Sequence, residues 1–455
     1  MSSLSATISL KDKEPILEHE RKIVLLWSVT VWLVVMNTTM FNVALPTVSN
    51  ELVLTSATAS WIVSGYSIVF AISTITYSRL SDYIPIKKLL FVGLSILGTA
   101  SIIGLIATEY SWLIVARVLQ ALGAGAVPGL AMVLAGRYIP VSRRGKAMAF
   151  ISSAASLGFG IGPVMGGIIT QYLGWNYLFL ITGLVLFLTP FFIKWLPVDE
   201  IKRVRFDFLG AFLTGGSVTG LLLFLSTLSF YYLLASLIGL IWLWIHINKI
   251  SVPFMQPSLI KNKAYRALIF VAFTAFIIHF SSLFLMPIIL STVYNKEPAA
   301  IGMIIFPGAI LSAIAAQFIG RLIDRLGNKP VITLGHVFLI VATLLFAFFS
   351  SVTPYAIMGT YMFMSVGFSA LTSSTSNQVT RLLPKEEVGA GMGLIQLMQF
   401  FGGALGVALS GLLLVWQTEL SPAESYRNIF LGFSLLLVLS AVMFVMNQNR
   451  SEKAS

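Results

Sequence analysis

Fourteen long apolar runs follow one another along this chain, each about long enough to cross a bilayer as a helix. They lie at 22–47, 58–80, 86–107, 111–139, 145–171, 175–196, 207–228, 230–249, 264–293, 299–321, 328–350, 353–380, 386–416 and 425–447. Only 10% of the 455 residues are charged and 57% are hydrophobic, too little polar surface to coat a soluble fold. The expected architecture is an all-α integral membrane protein with fourteen transmembrane helices. The longer runs exceed one bilayer thickness and are expected to tilt or project.

Charge gives the expected orientation. With the first tail placed in the cytoplasm and the spans alternating, 26 of the 29 Lys and Arg fall on the cytoplasmic side or in the tails. Lys296 and Arg427 fall outside, and Arg117 falls within a span. The opposite orientation breaks the positive-inside rule at nearly every loop. Both termini are therefore expected in the cytoplasm, at the plasma membrane, and the net charge of +12 reads as a topological signal with no nucleic-acid partner. The first 21 residues are polar and mixed in charge, unlike a signal peptide. The absence of cysteine excludes disulfides, thiolate metal sites and cysteine catalysis.

The chain repeats itself. Arg79-Leu80-Ser81-Asp82 follows the second run and Arg321-Leu322-Ile323-Asp324 the tenth, each with basic residues beyond it. Internal repeats mark secondary transporters. Equating the two loops divides the chain into a tail (1–21), a six-helix bundle (22–196), an inserted hairpin with its flanking loops (197–263), a second six-helix bundle (264–447) and a tail (448–455). Asp82 and Asp324 can accept backbone N–H bonds or pair with arginine across a helix interface, latching one mouth shut. The alternative is that both loops only anchor helix ends at the headgroups.

Arg117 is the one Lys or Arg inside a run, roughly 9 Å below the outer surface, with Gln120 one turn on. A buried guanidinium needs partners. A structural cation held by backbone carbonyls, or one that snorkels outward, is the competing reading. Gly158, Gly162 and Gly166 form a stripe at spacing four beside Pro163 and Gly167, suited to a close helix seam between the halves. No Asp or Glu falls mid-membrane, so proton coupling, if present, falls to His279 or to a mouth carboxylate such as Glu51 or Glu109. A neutral, hydrogen-bonded structural histidine is the competing reading of His279. Asn37, Thr38, Asn42, Tyr66, Gln120, Ser365, Ser369, Gln396 and Gln399 are candidates to line a cavity of neutral hydrogen-bonding groups with aromatic and Met walls. No G-x-x-x-x-G-K-[ST] occurs, which argues against ATP drive, and no metal, cofactor or enzyme constellation is read.

Several stretches together resemble the major facilitator superfamily, specifically its fourteen-span drug:proton antiporter group and, within it, the Gram-positive tetracycline and multidrug efflux proteins. They are Asn42-Val43-Ala44-Leu45-Pro46, the WIVSGY at 61–66, the RLSDYIPIKK at 79–88, Arg117-Val118-Leu119-Gln120 with Gly123, Arg137-Tyr138-Ile139-Pro140, Arg144-Gly145-Lys146-Ala147, the GFGIGPVMGG at 158–167, Phe306-Pro307-Gly308 and Val388-Gly389-Ala390-Gly391-Met392. The resemblance runs from about residue 25 to 445. It implies two six-helix bundles around a central cavity plus two extra helices, alternating access driven by protons, small hydrophobic substrates, and a monomer in the lipid bilayer. It assigns proton-linked gating to Arg117 and gating to the 158–167 segment. Ser78 and Pro85 stand where the loop motif carries glycine, and Asn37, Thr38 and Phe159 stand where relatives carry carboxylates. Those departures keep open a facilitator or symporter of a neutral or anionic solute. A non-transporting scaffold or sensor is the third reading.

Overall fold

The computed structural model describes residues 19–81, 84–197, 207–250 and 253–452, and among them every regular element is a helix. The first bundle comprises α1 (Glu20–Glu51), α2 (Ser56–Leu80), α3 (Ile86–Leu105), α4 (Tyr110–Ala124), α5 (Ala126–Tyr138), α6 (Val141–Tyr172), α7 (Tyr177–Gly183) and α8 (Val185–Trp195). A hairpin of α9 (Phe208–Thr227) and α10 (Phe230–Ile247) follows, then the short α11 (Pro257–Lys261). The second bundle comprises α12 (Lys263–Thr292), α13 (Pro298–Leu326), α14 (Asn328–Phe349), α15 (Pro354–Leu382), α16 (Lys385–Trp416) and α17 (Pro422–Glu452).

Among the described residues, twelve stretches are long and apolar enough to cross a membrane. Among them, α4 and α5 count as one, continuing through Gly125, and α7 and α8 as one, continuing through Leu184. Beside them run α6 and α15, of 32 and 29 residues, both rich in Gly, Ser and Thr. Three details depart from the sequence expectation. The 111–139 and 175–196 runs are interrupted rather than continuous helices. Helix α11 lies inside the segment read as a polar loop. The 321–324 motif is not a loop: α13 continues to Leu326 and ends at Gly327, whose φ of 80° favours glycine.

Packing repeats between the bundles. Helix α1 lies along α6 as α12 lies along α16, and α3 along α4 as α14 along α15. The bundles meet through α6 on α13 and α2 on α16. Helix α9 rests on α2 and α16, where Ile68, Val218, Leu222, Ala404 and Ala408 form a small core of their own. The α1 start, the α8 end, the α9 start and the α17 end share one end of the molecule. There Lys22 sits 5.6 Å from the Trp195 ring, and Asn447 donates to the Lys263 carbonyl at 3.1 Å. This is the terminal end of the molecule, and the opposite one is the far end.

Candidate functional site

Arg117 is the largest charged side chain enclosed by the fold, 1% exposed. Its position on α4 aims the guanidinium at the junction with α1 and α2. Nε donates to the Ile62 carbonyl at 3.2 Å, and Nη1 to Asn37 Oδ1 at 3.3 Å and Gln120 Oε1 at 3.1 Å. Phe41 lies one turn beyond Asn37, and Tyr66 one turn beyond Ile62. Both rings stand 4.0 Å from the guanidinium carbon, so the cation is held between two aromatic groups. Gln120 passes the network on to Ser101 on α3 at 3.1 Å, and Asn37 donates to the Tyr66 hydroxyl at 3.4 Å. Every partner is neutral, and Nη2 is buried with none. A fixed positive charge thus sits without a counter-ion, where the environment offers only dipoles and π faces to offset its desolvation.

From Tyr66 an aromatic chain crosses to the second bundle near mid-helix. Tyr66 stacks on Phe70 at 5.8 Å, Phe70 meets Phe400 of α16 at 5.1 Å, Phe400 lies 6.0 Å from Phe276 of α12, and Phe276 lies 5.2 Å from Phe368 of α15. The chain ends on His279, whose ring stacks on Phe368 at 3.8 Å and 5°. His279 is 6% exposed, and its Nδ1 is buried without a hydrogen-bond partner among the described residues. The contacts that the structure gives its ring are aromatic.

The glycine stripe faces a different neighbour from the one expected. Cβ atoms at Gly158, Gly162 and Gly166 would strike α1, at the Trp32 carbonyl (2.8 Å), the Met36 carbonyl (2.9 Å) and the Met40 carbonyl (2.5 Å). That seam lies within one bundle. The contact between bundles is made by the adjacent face: Gly167 lies against the Pro298 carbonyl and Ala299, and Pro163 and Val164 against Gly302. The second bundle repeats both contacts. Gly402 and Gly406 pack on Phe273 and Ile277 of α12, while Gly411 packs on Ser56 (2.8 Å) and Ser60 (3.0 Å) of α2. Gln171 accepts from the Ala299 N–H at 3.0 Å beside the first crossing.

These crossings loosen along the helices. Gly320 lies 18 residues after Gly302, and Gly393 lies 18 before Gly411, so each shares a face with its counterpart about five turns, roughly 27 Å, away. A Cβ at Gly320 or Gly393 would meet nothing within 4 Å, and at the intermediate Gly160 it would come only to 3.8 Å from Ala309. Among the described residues both crossings are tight at the far end, and Gly320 and Gly393 make no such close approach at the terminal end.

The remaining sequence candidates fall as follows. Thr38 and Asn42 are buried beside the Arg117 cage, Asn42 with Oδ1 unpartnered. Ser365 bonds the Met362 carbonyl of its own helix at 2.8 Å, and Ser369 ties to Ser312 of α13 at 2.7 Å. Gln399 is buried and Gln396 is half-buried, and among the described residues neither side chain is hydrogen-bonded. Glu51 and Glu109 are exposed at the far end, where Glu51 accepts from Trp175 Nε1 at 2.6 Å. Asp82 lies outside the described residues. Arg79 is half-buried in the last turn of α2. Arg321 and Asp324 are exposed on α13, Arg321 lying 5.1 Å from the Phe318 ring, and no ion pair joins the two.

Three polar ties escaped the sequence reading. Arg137, at the α5 end, donates to the Ser81 carbonyl at 2.8 Å and to its hydroxyl at 3.2 Å, gripping the α2 end. Asn328, at the α14 start, donates to Asn377 (3.1 Å) and Gln378 (2.8 Å) near the end of α15 in the second bundle. Asp207 caps α9 by accepting from Gly210 N–H at 2.7 Å and joins His246 (2.7 Å) and Phe254 N–H (2.9 Å). Burial pushes the Asp207 carboxyl up, but the Phe254, His246 and Gly210 hydrogen bonds outweigh it and hold the group below the usual aspartate range. Its place just before an apolar helix was the available signal.

Comparison with known proteins agrees with this geometry. A sequence model of the Major Facilitator Superfamily matches residues 27–259 and 268–455. The lincomycin resistance protein LmrB of Bacillus subtilis is 28% identical over 391 residues, covering 82% of this chain and 81% of that protein. The riboflavin transporter RibZ of Clostridioides difficile is 24% identical over 375 residues, covering 81% and 82%. Among solved structures, a bacterial homologue of the human lysosomal transporter Spinster superposes with a TM-score of 0.68 at 13% identity, covering 94% of this chain and 97% of that one.

Proposed function

The chain belongs to the Major Facilitator Superfamily, and from that premise we propose that it exports small hydrophobic drugs or toxic amphipaths in exchange for protons, by alternating access. On this reading it is a multi-pass plasma-membrane transporter with fourteen spans, and the terminal end is cytoplasmic. The distribution of Lys and Arg supports the orientation. The structure then represents the inward-open state.

The paired crossings carry the proposal: closed at Gly167 and Gly411, open at Gly320 and Gly393. A pseudo-twofold arrangement that is shut at one end and parted at the other is half of an alternating-access cycle. The aromatic chain from Tyr66 to Phe368 stands where the parting stops, and Phe276 and Phe368 are only half-buried. It offers stacking faces to flat apolar ligands. Arg117 at one end of the chain and His279 at the other supply the polar chemistry. In this scheme protonation of His279 costs its burial against Phe368 and favours a conformer that wets it, coupling a proton to the rocking of the bundles. Arg79, Asp82, Arg321 and Asp324 would latch the inner mouth when it closes.

A second reading, a facilitator or symporter of a neutral or anionic solute, is favoured by the wholly neutral cage of Arg117. Substrate-dependent proton movement in everted vesicles separates the two. Addition of dyes, fluoroquinolones or tetracyclines to vesicles acidified inside should release protons if the chain is an antiporter. Transport of the same compounds without proton movement would replace antiport by facilitation.

A further inference from the structure

A groove of about 780 Å³ runs along the second bundle between α12, α16 and α17, and none of the aromatic chain's own residues lines it. Its α12 wall is one helical stripe: Lys263, Arg266, Phe270 and Phe273. Met398 of α16 and Met443 of α17 face them. No acidic residue lines it. Lys263 and Arg266 are exposed at the terminal end, and among the described residues neither forms an ion pair. Chemistry therefore changes along the groove, from two free cations at the mouth to Met and Phe further in.

Its length is informative. Phe273 lies ten residues beyond Lys263, about 15 Å along α12. That is half of a hydrocarbon core of roughly 30 Å, the depth of one leaflet. A soluble ligand has no reason to match that depth, whereas a lipid chain anchored at the headgroup level does. We propose that this groove binds an anionic phospholipid of the leaflet at the terminal end, one acyl chain lying along Phe270 and Phe273 and the phosphate on Lys263 and Arg266. Basic residues between helices at this level recognise such headgroups by charge, and the thioether side chains adapt to a flexible chain. The assignment of leaflet rests on the orientation proposed above; the groove itself does not. Phe273 also forms the floor under Gly402 in the α12–α16 seam, so the bound chain supports that seam from the lipid side.

The test is lipid retention by the full-length protein, extracted from vesicles of equal phosphatidylglycerol and phosphatidylcholine and read by native mass spectrometry. One phosphatidylglycerol should be retained in preference to phosphatidylcholine. Lys263→Gln and Arg266→Gln should each lower that preference about five-fold, the factor expected for one basic residue near an anionic headgroup. Ala267→Phe, which fills the groove, should release both lipids. Both charge positions are exposed, so those variants keep their fold. Equal retention of the two lipids by the wild type, or an unchanged preference in the Lys263→Gln/Arg266→Gln variant, overturns the proposal. So does displacement of the retained lipid by a transported drug one for one, which would make the groove a substrate entry. Because retention needs no turnover, a chain that fails the proton assay still answers this question.

Discussion

Gly166 and Gly167 are neighbours in sequence, about 100° apart on α6, and face different partners: Met40 of the same bundle and Pro298 of the other. Substituting alanine at each should give different defects. A Cβ at Gly166 would lie 2.5 Å from the Met40 carbonyl, in a seam within one bundle that rocking of the bundles as proposed would leave intact. Overpacking of that kind costs about 1–3 kcal/mol and should appear as lowered thermal stability. A Cβ at Gly167 meets the Pro298 carbonyl only while the far end is closed. The same ~1–3 kcal/mol then acts on the equilibrium between states, raising the ratio of far-end-open to far-end-closed molecules roughly 5- to 150-fold. Gly411→Ala, against the Ser56 carbonyl at 2.8 Å, should act as Gly167→Ala does.

The chain has no cysteine, so Gly320→Cys gives a single reporter at the parted end. Its labelling by a water-soluble maleimide applied to everted vesicles measures how often the terminal end is open. Gly167→Ala and Gly411→Ala should slow that labelling, while Gly166→Ala leaves it unchanged and lowers the melting temperature. Equal labelling in all three backgrounds would refute the division of the two glycine faces into a permanent and a breakable seam.

Arg117→Lys should reduce transport by about tenfold or more at matched expression, because one ammonium nitrogen cannot occupy the separate Nε and Nη1 positions that serve the Ile62 carbonyl on one side and Asn37 and Gln120 on the other, nor lie flat between two rings; retained turnover rates would make the cage structural. His279→Gln should abolish pH-driven exchange while leaving downhill substrate movement, measured by counterflow; undiminished exchange would move the coupling role to Glu51 or Glu109. With no carboxylate at Asn37, Thr38 or Phe159 and a positive Arg117 nearby, neutral, zwitterionic or anionic amphipaths should be moved faster than ethidium, read by efflux from loaded cells. Asp207→Asn should cost about 2 kcal/mol near neutral pH, where the carboxylate is ionised and triply hydrogen-bonded. That advantage is present above the unfolded aspartate value of about 4 and is lost as pH falls through the lower folded value, so the melting curves of wild type and variant should converge in acid.

Each apolar run has its helix, because hydrophobic length is written locally. The breaks at Gly125 and Leu184 were not legible, since apolarity continues through both. A spacing of four glycines announced that α6 meets something closely, but no periodicity names the partner. Only the fold shows that three of those glycines serve α1 and that Gly167 serves α13. Asn37, Tyr66 and Gln120 could be picked as polar residues inside apolar runs, and they do converge on Arg117. Phe41 and Phe368 could not, because two aromatic residues among 33 phenylalanines carry no local mark of standing over a cation or an imidazole. Arg137 sits in a recognisable motif, yet its grip on Ser81 spans 56 residues of sequence and needs two helix ends brought together.

The repeat gives the proposed rocking its frame and also shows where the two bundles differ. Both bundles carry the same glycine contacts at corresponding places, so the far-end clasp is made twice from one design: Gly167 on the start of α13 and Gly411 on the start of α2. Two equivalent contacts part together if the bundles rotate as bodies, and small residues let them part without leaving interlocked side chains behind. The chemistry placed between them is not repeated. The first bundle holds a guanidinium between two aromatic rings, and the second holds an imidazole stacked on a phenylalanine. If His279 carries the coupling proposed above, this symmetric frame would respond to protons through the second bundle. The stack of His279 on Phe368, 3.8 Å apart on two helices of that bundle, is then where protonation would do its work.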